Sequence, residues 1–143
     1  WAYVTKTGAQ QLGGTGGVAV IDLKAKKQSN VIPLPGRPLG IVLTPDGRKA
    51  YVANQTRRLF VLDLVKETLK DSILTTNAFP ALVALSPDGQ TVYLSNGISD
   101  TINVVDTTTD QVVKAFATKP AEPHLSASIA DLAVSQDGKR VYA

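Results

Sequence analysis

One stretch of text occurs three times in this chain, and no other feature constrains the fold as much. Leu39 to Asn54 reads as an apolar run, a Thr-Pro-Asp-Gly turn and a second apolar run carrying Tyr51. The same text returns from Leu82 to Asn96, around Pro87-Asp88-Gly89 and Tyr93, and again from Leu132 to Ala143, around Asp137-Gly138 and Tyr142. An internal repeat with this spacing requires a tandem architecture, in which each unit buries its apolar surface against the next.

The remainder of each unit supplies two more strands. Val18–Leu23, Leu59–Leu64 and Ile102–Thr107 are rich in β-branched or large apolar residues, and each carries an Asp at a turn (Asp22, Asp63, Asp106). A fourth strand follows that turn at Asn30–Leu34, Leu69–Leu74 and Val112–Ala117. The segment from Leu64 to Lys70 is the nearest approach to helical periodicity, but it falls in phase with a turn and strand in the other copies. Tyr3, Tyr51, Tyr93 and Tyr142 lie 48, 42 and 49 residues apart. Four short strands in such a period make the blade of a β-propeller. The expected fold is all-β, with about three four-stranded antiparallel blades in one partial domain and 13 strands in all. The repeats run from about 2 to 50, 51 to 92 and 93 to 141.

Composition fits this reading and excludes several others. The 143 residues are 43% hydrophobic, enough for a real core, and the formal charge is only +3, too small an excess to expect nucleic acid as partner. Lys24, Lys26 and Lys27 cluster at a turn and need no partner beyond water. No apolar run is long enough to span a bilayer, so membrane insertion is not expected. The absence of cysteine removes disulfide and thiol chemistry. No signal peptide is visible and the chain opens on Trp1, so a mature or trimmed product is expected.

The repeat text itself is similar to that of a known family. Thr44-Pro45-Asp46-Gly47-Arg48-Lys49-Ala50-Tyr51-Val52-Ala53-Asn54 resembles the YVTN type of β-propeller repeat, and Val104-Val105-Asp106-Thr107-Thr108-Thr109 resembles its third strand and turn. The terminal copies depart from the pattern, with Gln136 in place of Pro and Lys6 where Asn54 and Asn96 stand. The resemblance implies a seven-bladed ring, of which this chain is a fragment, and a periplasmic or cell-surface location. Self-association is the alternative route to ring closure.

Few residues point to chemistry. The Asp-Gly pairs at Asp46, Asp88 and Asp137 recur in phase and read as turns, with Asp bonding nearby backbone and Gly supplying a positive φ. Gly14-Thr15-Gly16-Gly17-Val18-Ala19 fits a dinucleotide fingerprint formally, but a strand follows it where a phosphate-binding helix is required. His124 is the sole histidine, and no nucleophile-elbow pattern accompanies it. Asn54-Gln55-Thr56 fits a glycosylation sequon. No metal and no cofactor is expected.

Loop lengths give the one positional clue. With strands labelled a to d from the channel outward, the b–c and d–a connections share one face, and the a–b and c–d turns share the other. Tyr3 to Asp22 is 19 residues against 12 and 13 in the later copies, an insertion in the b–c loop. Asp106 to Asp137 is 31 against 24 and 25, an insertion around Thr118 to Ile129 in the d–a connection. Both fall on one face, which also collects Lys6, Gln10, Gln11 and Asp100. Arg37, Gln55, Arg57, Arg58, Glu122 and His124 there are the candidate contacts for a protein partner or a small anionic ligand.

Three functions remain open. The first is a non-catalytic binding or scaffold module of an exported protein. The second is an enzyme's propeller, because similar propellers occur as lactonases and as parts of periplasmic oxidoreductases whose haem or quinone lies elsewhere. The third is a surface-layer or adhesive repeat.

Overall fold

The computed structural model describes residues 1–8, 16–75, 80–96, 101–118, 129 and 131–143. Among the described residues, thirteen strands form four antiparallel sheets, each a simple meander. Blade I holds β1 (Ala2–Lys6), β2 (Gly16–Asp22) and β3 (Lys27–Leu34). Blade II holds β4 (Pro38–Leu43), β5 (Lys49–Asn54), β6 (Arg58–Asp63) and β7 (Thr68–Leu74). Blade III repeats that order with β8 (Pro80–Leu85), β9 (Thr91–Asn96), β10 (Thr101–Asp106) and β11 (Gln111–Ala117). The short pair β12 (Ala133–Val134) and β13 (Val141–Tyr142) begins blade IV. The fourth strand of blade I starts three residues earlier than the apolar text indicates, because Lys27, Gln28 and Ser29 face solvent and carry no hydrophobic signal. The lysine cluster divides accordingly, Lys24 and Lys26 in the turn and Lys27 in β3.

The core lies between blades. Val18, Val20, Ile32 and Leu34 of blade I pack against Ala50, Val52, Phe60, Leu62 and Leu64 of blade II. The other face of blade II presents Tyr51, Ala53, Leu59, Val61 and Ile73 to Val92, Leu94 and Val105 of blade III. Successive residues of β5 and β6 therefore enter opposite cores. This is why Leu59-Phe60-Val61-Leu62 reads as an unbroken apolar run, as strands buried on both faces do. Each fully buried side chain of this size contributes about 1.5–3 kcal/mol.

Toward the channel the sheets converge. The innermost strands β4 and β8 touch each other, and Gly40 sits where a Cβ would fall 2.9 Å from the Ala81 carbonyl oxygen. Toward the outside, β3, β7 and β11 are edge strands, each broken by a bulge that skips one residue: Ser29, Lys70 and Val113. Bulges of this kind blunt an edge and re-aim the extra side chain. No described helix is long and apolar enough to cross a membrane.

Candidate functional site

At one end of blade II the incoming connection and the β5–β6 turn are stitched together. Gln55 donates its backbone N–H to the Arg37 carbonyl (3.2 Å), and the Asn54 side-chain amide donates to the Pro35 carbonyl (2.8 Å). Asn54 also accepts from the backbone and hydroxyl of Thr56 (2.9 and 2.8 Å). Asn54 is fully buried and both ends of its amide are occupied, so the sequon is closed in the folded state. Thr75, leaving β7, caps the same turn by donating N–H and hydroxyl to the Arg57 carbonyl (both 3.1 Å). From blade I, the Thr5 hydroxyl reaches the Leu39 carbonyl (2.8 Å), which brings the Lys6 end of β1 to this same face.

Arg37, Gln55, Arg57 and Arg58 thus share the end where the b–c and d–a connections meet. Arg57 holds a left-handed backbone (φ 64°) at the tip of the turn and is exposed, whereas the Arg58 guanidinium folds back onto the Ser72 hydroxyl of β7 (3.0 Å). None of these guanidinium groups forms a salt bridge with a described carboxylate. Glu122 and His124, the other two candidates, lie outside the described residues, as do Gln10, Gln11 and Asp100. The arrangement offers cationic donors on a rigid turn, suited to an anionic surface.

The opposite end carries the turns and a polar node that sequence reasoning missed. The carboxylates of Asp46, Asp88 and Asp137 accept the hydroxyls of Thr44, Ser86 and Ser135 (2.6, 2.5 and 2.6 Å) and the amides two residues on. These bonds hold all three below the usual carboxylate range. Asp22, Asp63 and Asp106 accept the amides two and three residues on, and so form the c–d turns. Four residues after each of these aspartates stands a residue with positive φ: Lys26, Glu67 and Asp110. The Glu67 and Asp110 side chains reach the preceding blade, whereas Lys26, on blade I, is exposed.

Asp110 shows what that position can do. Its carboxylate, on blade III, accepts the Tyr51 hydroxyl (2.5 Å), the Lys49 ammonium (3.0 Å to each oxygen) and the Lys70 ammonium (2.7 Å), all from blade II. Lys49 also donates to the Thr107 carbonyl (2.8 Å). Lys70 can reach because it is the bulged residue of β7. Burial opposes the Asp110 charge, but the hydrogen bonds from Lys70, Tyr51 and Lys49 outweigh it and hold the carboxyl below its ordinary value. Burial, and then the Asp110 hydrogen bond, push the Tyr51 phenol well above its ordinary value. The Asp110 hydrogen bond raises Lys70. One seam earlier, Glu67 takes the equivalent place, accepting the Asn30 amide (2.6 Å) and facing Tyr3, whose phenol is raised by burial and by the Glu67 charge. Lys49 lies on the turn face, and its ammonium is fixed in the seam. The available signal was Glu67 and Asp110 at one repeat position opposite the in-phase tyrosines.

The described sheets and their stacking define the class: an all-β chain of propeller blades. Among solved structures it is similar to hydrazine synthase of Kuenenia stuttgartiensis, with a TM-score of 0.78 and 25% identity over 87% of this chain. That likeness spans 34% of the hydrazine synthase chain. No family profile and no curated protein matches the sequence.

Proposed function

We propose that this chain is a non-catalytic, YVTN-type propeller segment of an exported oxidoreductase assembly, acting as a docking scaffold for the part that carries the redox chemistry. The observation behind it is the likeness to hydrazine synthase, which covers most of this chain but about a third of the other. The described polar side chains agree with a scaffold role, since the aspartates are engaged in turns and seams. The docking face in this reading is the b–c/d–a end of blade II, where Arg37, Arg57 and Arg58 have no described carboxylate partner. A carboxylate or propionate-bearing partner surface would satisfy them.

Isolation of the native protein from its source organism is the test. It should travel with a second polypeptide, and the complex should absorb above 400 nm while the recombinant chain alone does not. Charge reversal, Arg57→Glu with Arg58→Glu, should weaken that association by roughly tenfold or more, since a well-placed charged hydrogen bond contributes about 1.5–3 kcal/mol. A native preparation that is a single colourless polypeptide with its own steady-state turnover would overturn the reading.

A further inference from the structure

A cleft of about 260 Å³ opens on the other end of blade II, beside the Asp110 node. Its lining is Arg48, Lys49, Asp63, Val65, Lys66 and Lys70. We propose that this cleft is a binding site for a doubly charged phosphoryl group, held by Arg48, Lys66 and Lys70, with the remainder of the ligand against Val65.

The equivalent repeat positions separate this cluster from the demands of the fold. The four cationic positions in blade II correspond to Gln90, Thr91, Thr109 and Val113 in blade III. The backbone there is the same: Leu64 donates to the Arg48 carbonyl (2.9 Å) as Thr107 donates to the Gln90 carbonyl (2.9 Å). A blade therefore builds this end without a single cation, and blade II has one at every position. Two of them have a structural task, since Lys49 and Lys70 hold Asp110. Arg48 and Lys66 have none. Among the described residues, Arg48 makes no side-chain hydrogen bond and the Lys66 ammonium pairs only with Asp63, at a long 3.9 Å. Val65 adds an apolar wall that is 75% exposed.

Charge sets the ligand class. Within the lining, with Asp110 added, four cations meet two carboxylates, an excess of two positive charges, while Asp46 and Asp71 lie outside the lining beside Arg48 and Lys70. Asp63 is already counted in that balance: one of its oxygens accepts the Val65 and Lys66 amides (both 3.0 Å), and the other faces the Lys66 ammonium at 3.9 Å. Asp46 lies across Arg48 in the adjoining cleft, occupied by the Thr44 hydroxyl and the Arg48 amide. Lys70 gives one of its three donors to Asp110 and keeps two. A guanidinium fork with two ammonium groups matches a phosphoryl group, which carries about −1.5 to −2 at neutral pH.

The test is a calorimetric titration of the full chain with two probes, inorganic phosphate and phenyl phosphate. Both should bind, and the ester should bind more tightly through Val65. Arg48→Gln and Lys66→Gln should each weaken binding by about tenfold, and the double variant should abolish it. These side chains are exposed, so unchanged thermal unfolding checks that the variants fold. Val65→Ser should remove the advantage of the ester and leave inorganic phosphate unaffected. Lys139→Gln, in the exposed turn of blade IV and outside the lining, should bind as wild type does. Absence of binding at millimolar phosphate, or retention of affinity in the Arg48 and Lys66 variants, would overturn the site. Neither result bears on docking at the Arg57 face, which is read by association with a partner.

Discussion

Gly47 and Gly89 occupy the same repeat position with nearly the same backbone, φ 68° and 73°, yet they should not tolerate substitution equally. A Cβ on Gly47 meets nothing within 4 Å, whereas one on Gly89 falls 2.5 Å from the Pro45 side chain of the preceding blade. Gly47→Ala should cost about 1–2 kcal/mol, the left-handed penalty alone. Gly89→Ala should cost more, because Pro45 is a rigid ring that must shift. Urea denaturation of the two variants measures the difference, and equal losses would show that the turns do not bear on each other. The turn itself was legible in the sequence, since Asp and Gly in this spacing have a backbone reason. The contact with Pro45 was not, because it joins residues 44 positions apart that are close only once blades stack. Asn54 gives the converse lesson: its sequon is readable as text, and only burial shows that its amide is already taken.

Among the elements, the seam between blades II and III is the most informative. Tyr51, in phase with Tyr3 and Tyr93, reads correctly as a packing residue from its place on an apolar strand. Its hydroxyl partner is harder to read, because Asp110 closes a Thr-Thr-Thr-Asp turn that looks like filler and only its match to Glu67 at the same repeat position marks it. Equally opaque is the bulge that aims Lys70, since a register shift leaves no mark in composition. Asp110→Ala should destabilise the chain by about 2–4 kcal/mol, because it leaves a buried phenol and a half-buried ammonium without their acceptor. Asp110→Asn should cost less, since asparagine tolerates positive φ and still accepts hydrogen bonds. Tyr51→Phe should cost about 0.5–1.5 kcal/mol, the contribution of an ordinary hydrogen bond. If the Ala and Asn variants denature at the same urea concentration, the carboxylate node is not what joins these blades. Also absent from the sequence signal was the basic cleft, whose four cations come from two separate turns and strands and adjoin only in the folded blade.

Across the whole molecule, stability should be highest in blade II and limited in pH on both sides. Blade II buries both faces, whereas Tyr142 of blade IV is 56% exposed, so the slowest amide exchange should fall in β5 and β6 and the fastest among paired strands in β12 and β13. The pH limits follow from the shifted groups. Asp110 has a depressed folded-state pKa, so its contribution is complete above the ordinary aspartate value of about 3.9 and is lost as pH falls through the lower, folded value. The turn aspartates Asp46, Asp63, Asp88, Asp106 and Asp137 are depressed in the same direction. The acid limb is therefore shared, and Asp110→Asn should make it shallower without removing it. Tyr51 is raised, so its contribution is complete below the ordinary tyrosine value of about 10 and declines as pH rises beyond it, where the unfolded phenol ionises and the folded one does not. Tyr3 and Lys70 are raised as well and add to the same limb, Lys70 only weakly because it is largely solvated. Urea midpoints taken from pH 2 to 11 should form a plateau that falls at both ends. Tyr51→Phe lowers the plateau but removes the largest ionisation on the alkaline side, so its midpoints should decline less steeply above pH 10 than those of the wild type. An alkaline limb of unchanged slope in that variant would mean that the buried phenol does not set it.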